Sequence, residues 1–216
     1  MYKLNELEDI QLSTISENGK RFYVGEGDIK YPSVTTVTSL LSRDSIKKWR
    51  ERVGAEEANR VSNYASTRGT HFHLRVEEYL RGQDVEYRNP IEQGMLLSKK
   101  DALDRLDPVA LEAPLYSSTL KMAGRVDCVA YVGDKLYIVD FKSSGKTKRK
   151  EYAKNWFIQM TSYAIMVEEL TGIPVDGIMA LVAVEDGSFQ CFMETPENYI
   201  EQLVELRQQY EKEYGV

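Results

Sequence analysis

Cysteine is scarce in this chain of 216 residues: there are two, Cys128 and Cys191, far apart and each in apolar surroundings. Two thiols cannot supply the four ligands of a four-cysteine iron–sulfur cluster within one chain, and they read as buried free thiols. Histidine is as rare, with only His71 and His73. No apolar run approaches the roughly 18 residues that a membrane helix needs. The opening MYKLNELEDIQL is mixed and acidic, unlike a signal peptide, so the expected location is intracellular: the cytoplasm, or a host's cytoplasm if the protein is viral. Internal repeats and low-complexity stretches are absent.

What is present suits a packed domain. Hydrophobic residues make up 42% and charged residues 29%, enough apolar material for a core and too much for disorder. The net charge of −6 argues against nucleic acid as a partner until its distribution is considered. Six basic residues against Glu151 alone lie between Lys142 and Lys154, whereas Arg207 and Lys212 oppose eleven acids after Val167. One basic face can still hold phosphates.

The pattern predicts a short hairpin or loop region over 11–32, helices over 33–82 with breaks near Ser42 and Gly54, and a further helical stretch over 88–107. Three strands follow in LEAPLYSS, LKMAGRVDCVAYV and KLYIVDFKSS, then a helix over 149–170 stopped by Gly172 and Pro174. Two more strands, GIMALVAVE and SFQCFME, precede a last helix opened by Thr195 as N-cap and Pro196. The expectation is one α/β domain with a mixed sheet. It has an N-terminal helical part (33–107), a catalytic sheet and helix (108–194) and a C-terminal helix (195–216).

The sharpest local signal is Gly133-Asp134, which suits a two-residue type II′ hairpin turn. That turn pairs Val132 with Lys135 and sets Asp127 opposite Asp140, where two carboxylates repel and one tends to take a proton. Asp140 and Lys142 share a strand face, and Phe141 points to the core. Two acids and a lysine on one face can hold a hard cation such as Mg²⁺ or Mn²⁺ beside a phosphate. The competing reading is an inert surface hairpin, but aspartate is depleted in strands and here two interrupt apolar runs.

His73 and Glu77, four apart on a helix, share a face and could add a nitrogen and a carboxylate; a partly buried polar histidine is the alternative. Gln159 and Tyr163 share a face in the same way, with the core as the alternative place for Tyr163. Lys146, Lys148, Arg149, Lys150 and Lys154, interleaved with Tyr152 and Trp156, suit backbone contacts and base stacking on a single strand, or a solvated charge run.

Together these pieces resemble the RecB-like branch of the PD-(D/E)XK nucleases. The matching motifs, in order, are Gly69-Thr70-His71-Phe72-His73 with Glu77, Glu112 in LEAPL, Gly124-Arg125-Val126-Asp127, Asp140-Phe141-Lys142, and Gln159 through Tyr163. The opening YPSVTTVTSLL is similar to that of mitochondrial and phage exonucleases of this branch, whose N-terminal helices guide a single strand. The resemblance implies a restriction-endonuclease-like core. It implies metal ligation by His73, Asp127, Asp140 and the Phe141 carbonyl, a catalytic Lys142, and Gln159 and Tyr163 positioning the site or strand. Glu77 and Glu112 are supporting or second-metal residues. The expected activity is Mg²⁺- or Mn²⁺-dependent DNA exonuclease cleavage at single-stranded ends, in DNA repair, recombination or degradation. A separate helicase or single-strand-binding protein is a possible partner. A restriction-type or structure-specific endonuclease and a non-cleaving binding module are the alternatives.

Overall fold

A computed structural model describes residues 1–216. The chain opens with a 3₁₀ turn, Leu4–Asp9, followed by a three-stranded antiparallel sheet: β1 (Ser13–Glu17), β2 (Lys20–Val24) and β3 (Lys30–Pro32). The turn signals at Glu17-Asn18-Gly19 and Gly25 through Asp28 mark its two connections, and the expected hairpin gains β3 as a third strand. A parallel bridge, Ser33 to Ala123, joins this small sheet to the main one.

Helices α1 (Val34–Thr38), α2 (Arg43–Val53) and α3 (Ala55–Leu80) follow. Ser33 caps α1, its Oγ accepting from the Thr36 N–H at 3.0 Å. The predicted break at Gly54 is where the backbone takes φ +85°, a conformation that glycine reaches without steric cost. Helix α4 (Pro90–Leu97) starts with an Asn89 cap and Pro90 in its first turn; α5 (Lys100–Leu103) is a single turn.

The main sheet has the order β4-β5-β6-β7-β8: β4 (Asp107–Ser117), β5 (Met122–Val132), β6 (Lys135–Ser144), β7 (Gly177–Val184) and β8 (Phe189–Glu194). All neighbours are antiparallel except β6 and β7, whose crossover is α6 (Lys154–Thr171). Every residue of β7 is buried, as a strand covered on both faces requires. Helix α7 (Ile200–Tyr214) closes the chain.

Two apolar cores cover the two faces of this sheet. One packs α1, α6 and α7 with Val126, Val129, Ile138 and Ile178. The other packs Phe72 and Val76 of α3 and Met95 and Leu96 of α4 against Cys128, Val139, Phe141 and Leu181. The fold is α/β with a mixed five-stranded sheet flanked by helices, consistent with the restriction-endonuclease-like core.

Two local expectations are corrected. Cys128 is buried, but Cys191 is exposed because it lies on the edge strand β8. Thr195 makes no side-chain cap bond; Pro196 begins a 3₁₀ turn through Tyr199, and α7 starts only at Ile200.

Candidate active site

The Gly133-Asp134 hairpin has the register that its turn chemistry predicts. Val132 faces Lys135, and the ladder runs to Cys128 opposite Val139. Gly133 takes φ +66°, as the first central position of a II′ turn demands. Regular pairing stops one step before Asp127 and Asp140. There the Phe141 N–H donates to Asp127 Oδ2 at 2.9 Å in place of the next ladder bond. The Phe141 ring, 2% exposed, is buried in the α3-side core as expected.

Asp140, 2% exposed, is held by its neighbours: the Lys142 ammonium lies 2.7 Å from its carboxylate, and Gln159 Nε2 donates at 3.4 Å. Burial pushes Asp140 up to about 6; Lys142 opposes this and the Asp127 charge adds to it. Asp127 moves the other way. Burial disfavours its charge, but His73, Lys142 and the Phe141 amide outweigh that and hold it below the usual range. The opposed acids therefore split, one ready to take a proton and one not. Lys142 loses water on burial, yet Asp140 and Asp127 hold it firmly as a cation.

Helix α3 packs its Phe72–Val76 stripe on the sheet and so delivers His73 to β5. Its Nδ1 lies 3.4 Å from Asp127 Oδ2 and 4.0 Å from Glu112 Oε1. Ligand atoms of His73, Glu112 and Asp127 all lie within 4.8 Å of one another. Asp140 stands beside this trio, on the lysine's side of the site. Glu77 lines the same cleft, but its carboxylate accepts from Arg81 Nε at 3.0 Å.

Glu112 is the member that sequence periodicity underrates. It stands across from Asp127 in the β4–β5 register, between the Leu111–Cys128 and Ala113–Val126 pairs. Its φ is +50°, a left-handed conformation that costs a non-glycine residue about 1–3 kcal/mol and clusters at functional sites. Burial, then the charge of Asp127, pushes its carboxyl up to about 7. Extending the hairpin register argument through the 118–121 connection would have found it.

The trio, Lys142, Gln159 and Tyr163 open into one cleft of about 680 Å³. Tyr163 is nearly buried, and its ring fills the space beside Gly124, where a Cβ would lie 2.8 Å from it. Across the cleft stand Thr14, Arg21 and Tyr23 of the small sheet, with Ser33 and Thr35. Arg21 donates to Thr35 Oγ1 at 3.1 Å and Arg125 to the Glu112 carbonyl at 2.9 Å, leaving both guanidinia without a carboxylate partner. Neither arginine stood out in the sequence, although Arg125 shares a strand face with Asp127.

The basic segment is elsewhere. None of Lys146, Lys148, Arg149, Lys150, Tyr152, Lys154 or Trp156 lines the cleft. Lys150 pairs with Glu194, and the half-buried Trp156 packs on the α6-side core. The segment lies past the end of β6, where the chain leaves the site to form the crossover.

The sequence profile of the PD-(D/E)XK nuclease superfamily matches residues 50–213. This chain belongs to that superfamily. Mitochondrial genome maintenance exonuclease 1 of Xenopus tropicalis is 29% identical over 184 residues, covering 78% of this chain and 52% of that protein. The Homo sapiens protein of the same name is 28% identical over 129 residues, covering 54% of this chain and 38% of its own length. The chain thus spans about half, or less, of each relative. A superfamily nuclease needs acids and a lysine beside a phosphodiester, and this cleft brings them together. Members of the family generally use divalent metals. The trio fits such an ion: one imidazole nitrogen and carboxylate oxygens suit a hard or borderline cation, and Glu112, pushed up to about 7, shows negative charge with too little compensation.

Proposed function

We propose that the chain is a divalent-metal-dependent deoxyribonuclease that works as an exonuclease on single-stranded ends. The observation that carries this is the convergence of His73, Glu112, Asp127 and Lys142 in one cleft, with the lysine held by the buried Asp140 behind it. The exonuclease names of the two relatives support the finer reading.

His73, Glu112 and Asp127 would hold Mg²⁺ or Mn²⁺, with Asp140 and the Phe141 carbonyl beside them and Glu77 in a supporting place. A bound cation would polarise the phosphate and the attacking water. Lys142, a cation, donates hydrogen bonds to the phosphate oxygen on which charge grows. Asp140, itself held by the Gln159 amide, keeps that ammonium in place. Tyr163 packs the wall behind Asp127, and Arg21 and Arg125 neutralise backbone phosphates entering the cleft. No residue of α2 is buried, and Ala58 is the only buried residue in the N-terminal half of α3; these helices would line the approach of a flexible strand. The basic stretch from Lys146 to Lys154 would touch the strand outside the cleft.

End-labelled linear and circular single strands, with Mn²⁺, Mg²⁺ or EDTA, test this. Metal-dependent loss of the linear strand with an intact circle is expected. Cleavage of the circle would replace the exonuclease reading with an endonuclease, and no cleavage in any metal would end the enzymatic one.

No helix of the protein is long and apolar enough to cross a membrane.

A further inference from the structure

Glu112 reaches the metal trio only through an unusual backbone, and the chain grips that backbone from outside. Strand β4 is the edge of the sheet, and Leu111 turns both of its peptide groups outward. Neither is left to solvent. The Leu111 N–H donates to Glu8 Oε1 at 2.6 Å, and the Leu111 carbonyl accepts from Arg81 Nη2 at 3.2 Å. Glu8 and Arg81 pair with each other at 3.2 Å, and Arg81 Nε also reaches Glu77 at 3.0 Å. Glu8 comes from the N-terminal 3₁₀ turn, whose Leu7 is fully buried; Arg81 caps the C-terminal end of α3, the helix that carries His73. One ion pair therefore ties two separate segments, the N-terminal turn and the end of α3, to the residue preceding the left-handed one.

We propose that Glu8 and Arg81 are positioning residues for the metal site. They fix the Leu111 peptide so that Glu112 keeps its positive φ and aims its carboxylate at His73 and Asp127. A free edge strand would relax Glu112 towards the extended region, and that change of φ would move its carboxylate from its present place beside His73 and Asp127. The same pair clamps the end of α3 to β4, holding His73 against the strand that carries Glu112. Partners outside the ligand set commonly set metal affinity in this way. The inference rests on the proposed metal-dependent reading of the cleft.

The test is calorimetric titration of Mn²⁺ into the metal-free 216-residue chain. Glu8→Ala and Arg81→Ala should each weaken Mn²⁺ binding about 10-fold or more, while kcat at saturating Mn²⁺ stays within about 2-fold of the unsubstituted protein. Glu8→Gln keeps an acceptor for the Leu111 N–H and should retain most of the affinity. Equal loss in Glu8→Gln and Glu8→Ala would reduce the effect to long-range charge and overturn the peptide grip. If Glu8→Ala fails to fold in EDTA, the contrast between Glu8→Gln and Arg81→Ala decides. Glu112→Gln and Asp127→Asn separate the two levels of inference. If they weaken Mn²⁺ binding while the Glu8 and Arg81 variants do not, the positioning role alone falls. If they change nothing, the metal site falls with it.

Discussion

Replacing Glu112 with glutamine should stabilise the metal-free protein at alkaline pH while weakening its hold on metal. Folded Glu112 keeps its proton to about 7, against 4.5 for an unperturbed carboxyl, chiefly through burial and then the charge of Asp127. The folded state thus binds that proton more tightly than the unfolded chain does. Its contribution is fully present below pH 4.5 and is lost as pH rises through 7. The gap between the two values is worth about 3 kcal/mol. With 26% of the side chain open to solvent, screening trims this to about 2 kcal/mol. Glutamine keeps the size and bears the same backbone strain, so the substitution isolates the charge. Urea unfolding in EDTA should show the variant within about 0.5 kcal/mol of the parent at pH 4.5 and about 2 kcal/mol more stable at pH 8. Saturating Mn²⁺ should invert the order at pH 8, since a ligand at 100 times its dissociation constant adds about 2.7 kcal/mol to the parent. A variant less stable than the parent at pH 8 in EDTA, or an equal difference at both pH values, would refute the account of Glu112 as a buried carboxylate awaiting a cation.

Lys142→Ala should still bind a labelled single strand but cut it at least about 100-fold more slowly, the scale of losing one transition-state donor; unchanged cutting would remove the lysine from the mechanism. Gly124→Ala drives a methyl into the Tyr163 ring and Val34, and chemical denaturation should show a loss of about 1–3 kcal/mol. Gly94→Ala meets nothing within 4 Å on α4 and should instead stabilise by about 0.5–1 kcal/mol. Lys99 is fully buried, donates to the carbonyls of Leu181 and Lys142, and is held well below the usual lysine range by burial. The unfolded chain holds a proton there more tightly than the folded one, so stability should rise as pH climbs towards the ordinary lysine range; Lys99→Met should flatten that rise, seen in denaturation across alkaline pH.

The sequence by itself determined which residues share a face within an element. A glycine at the first central position set the β5–β6 register, and the two-residue repeat put Asp140 and Lys142 together with Phe141 behind them. The four-residue helical spacing grouped Gln159 with Tyr163. These relations depend on turn chemistry and backbone periodicity, which act over a few residues and need no partner. Tertiary structure decided what converged. Burial of Phe72 and Val76 against β5 and β6 brought His73 to Asp127, and the departure of the chain from β6 into the crossover left the Lys146–Lys154 run outside the cleft although it is close to Lys142 in the chain. It promoted Glu112 over Asp140 in the compact trio and brought Glu8, Arg21 and Arg81 from distant segments. Such placements follow from how apolar faces pack across the sheet, and a residue's local spacing carries no record of what will lie on the other side.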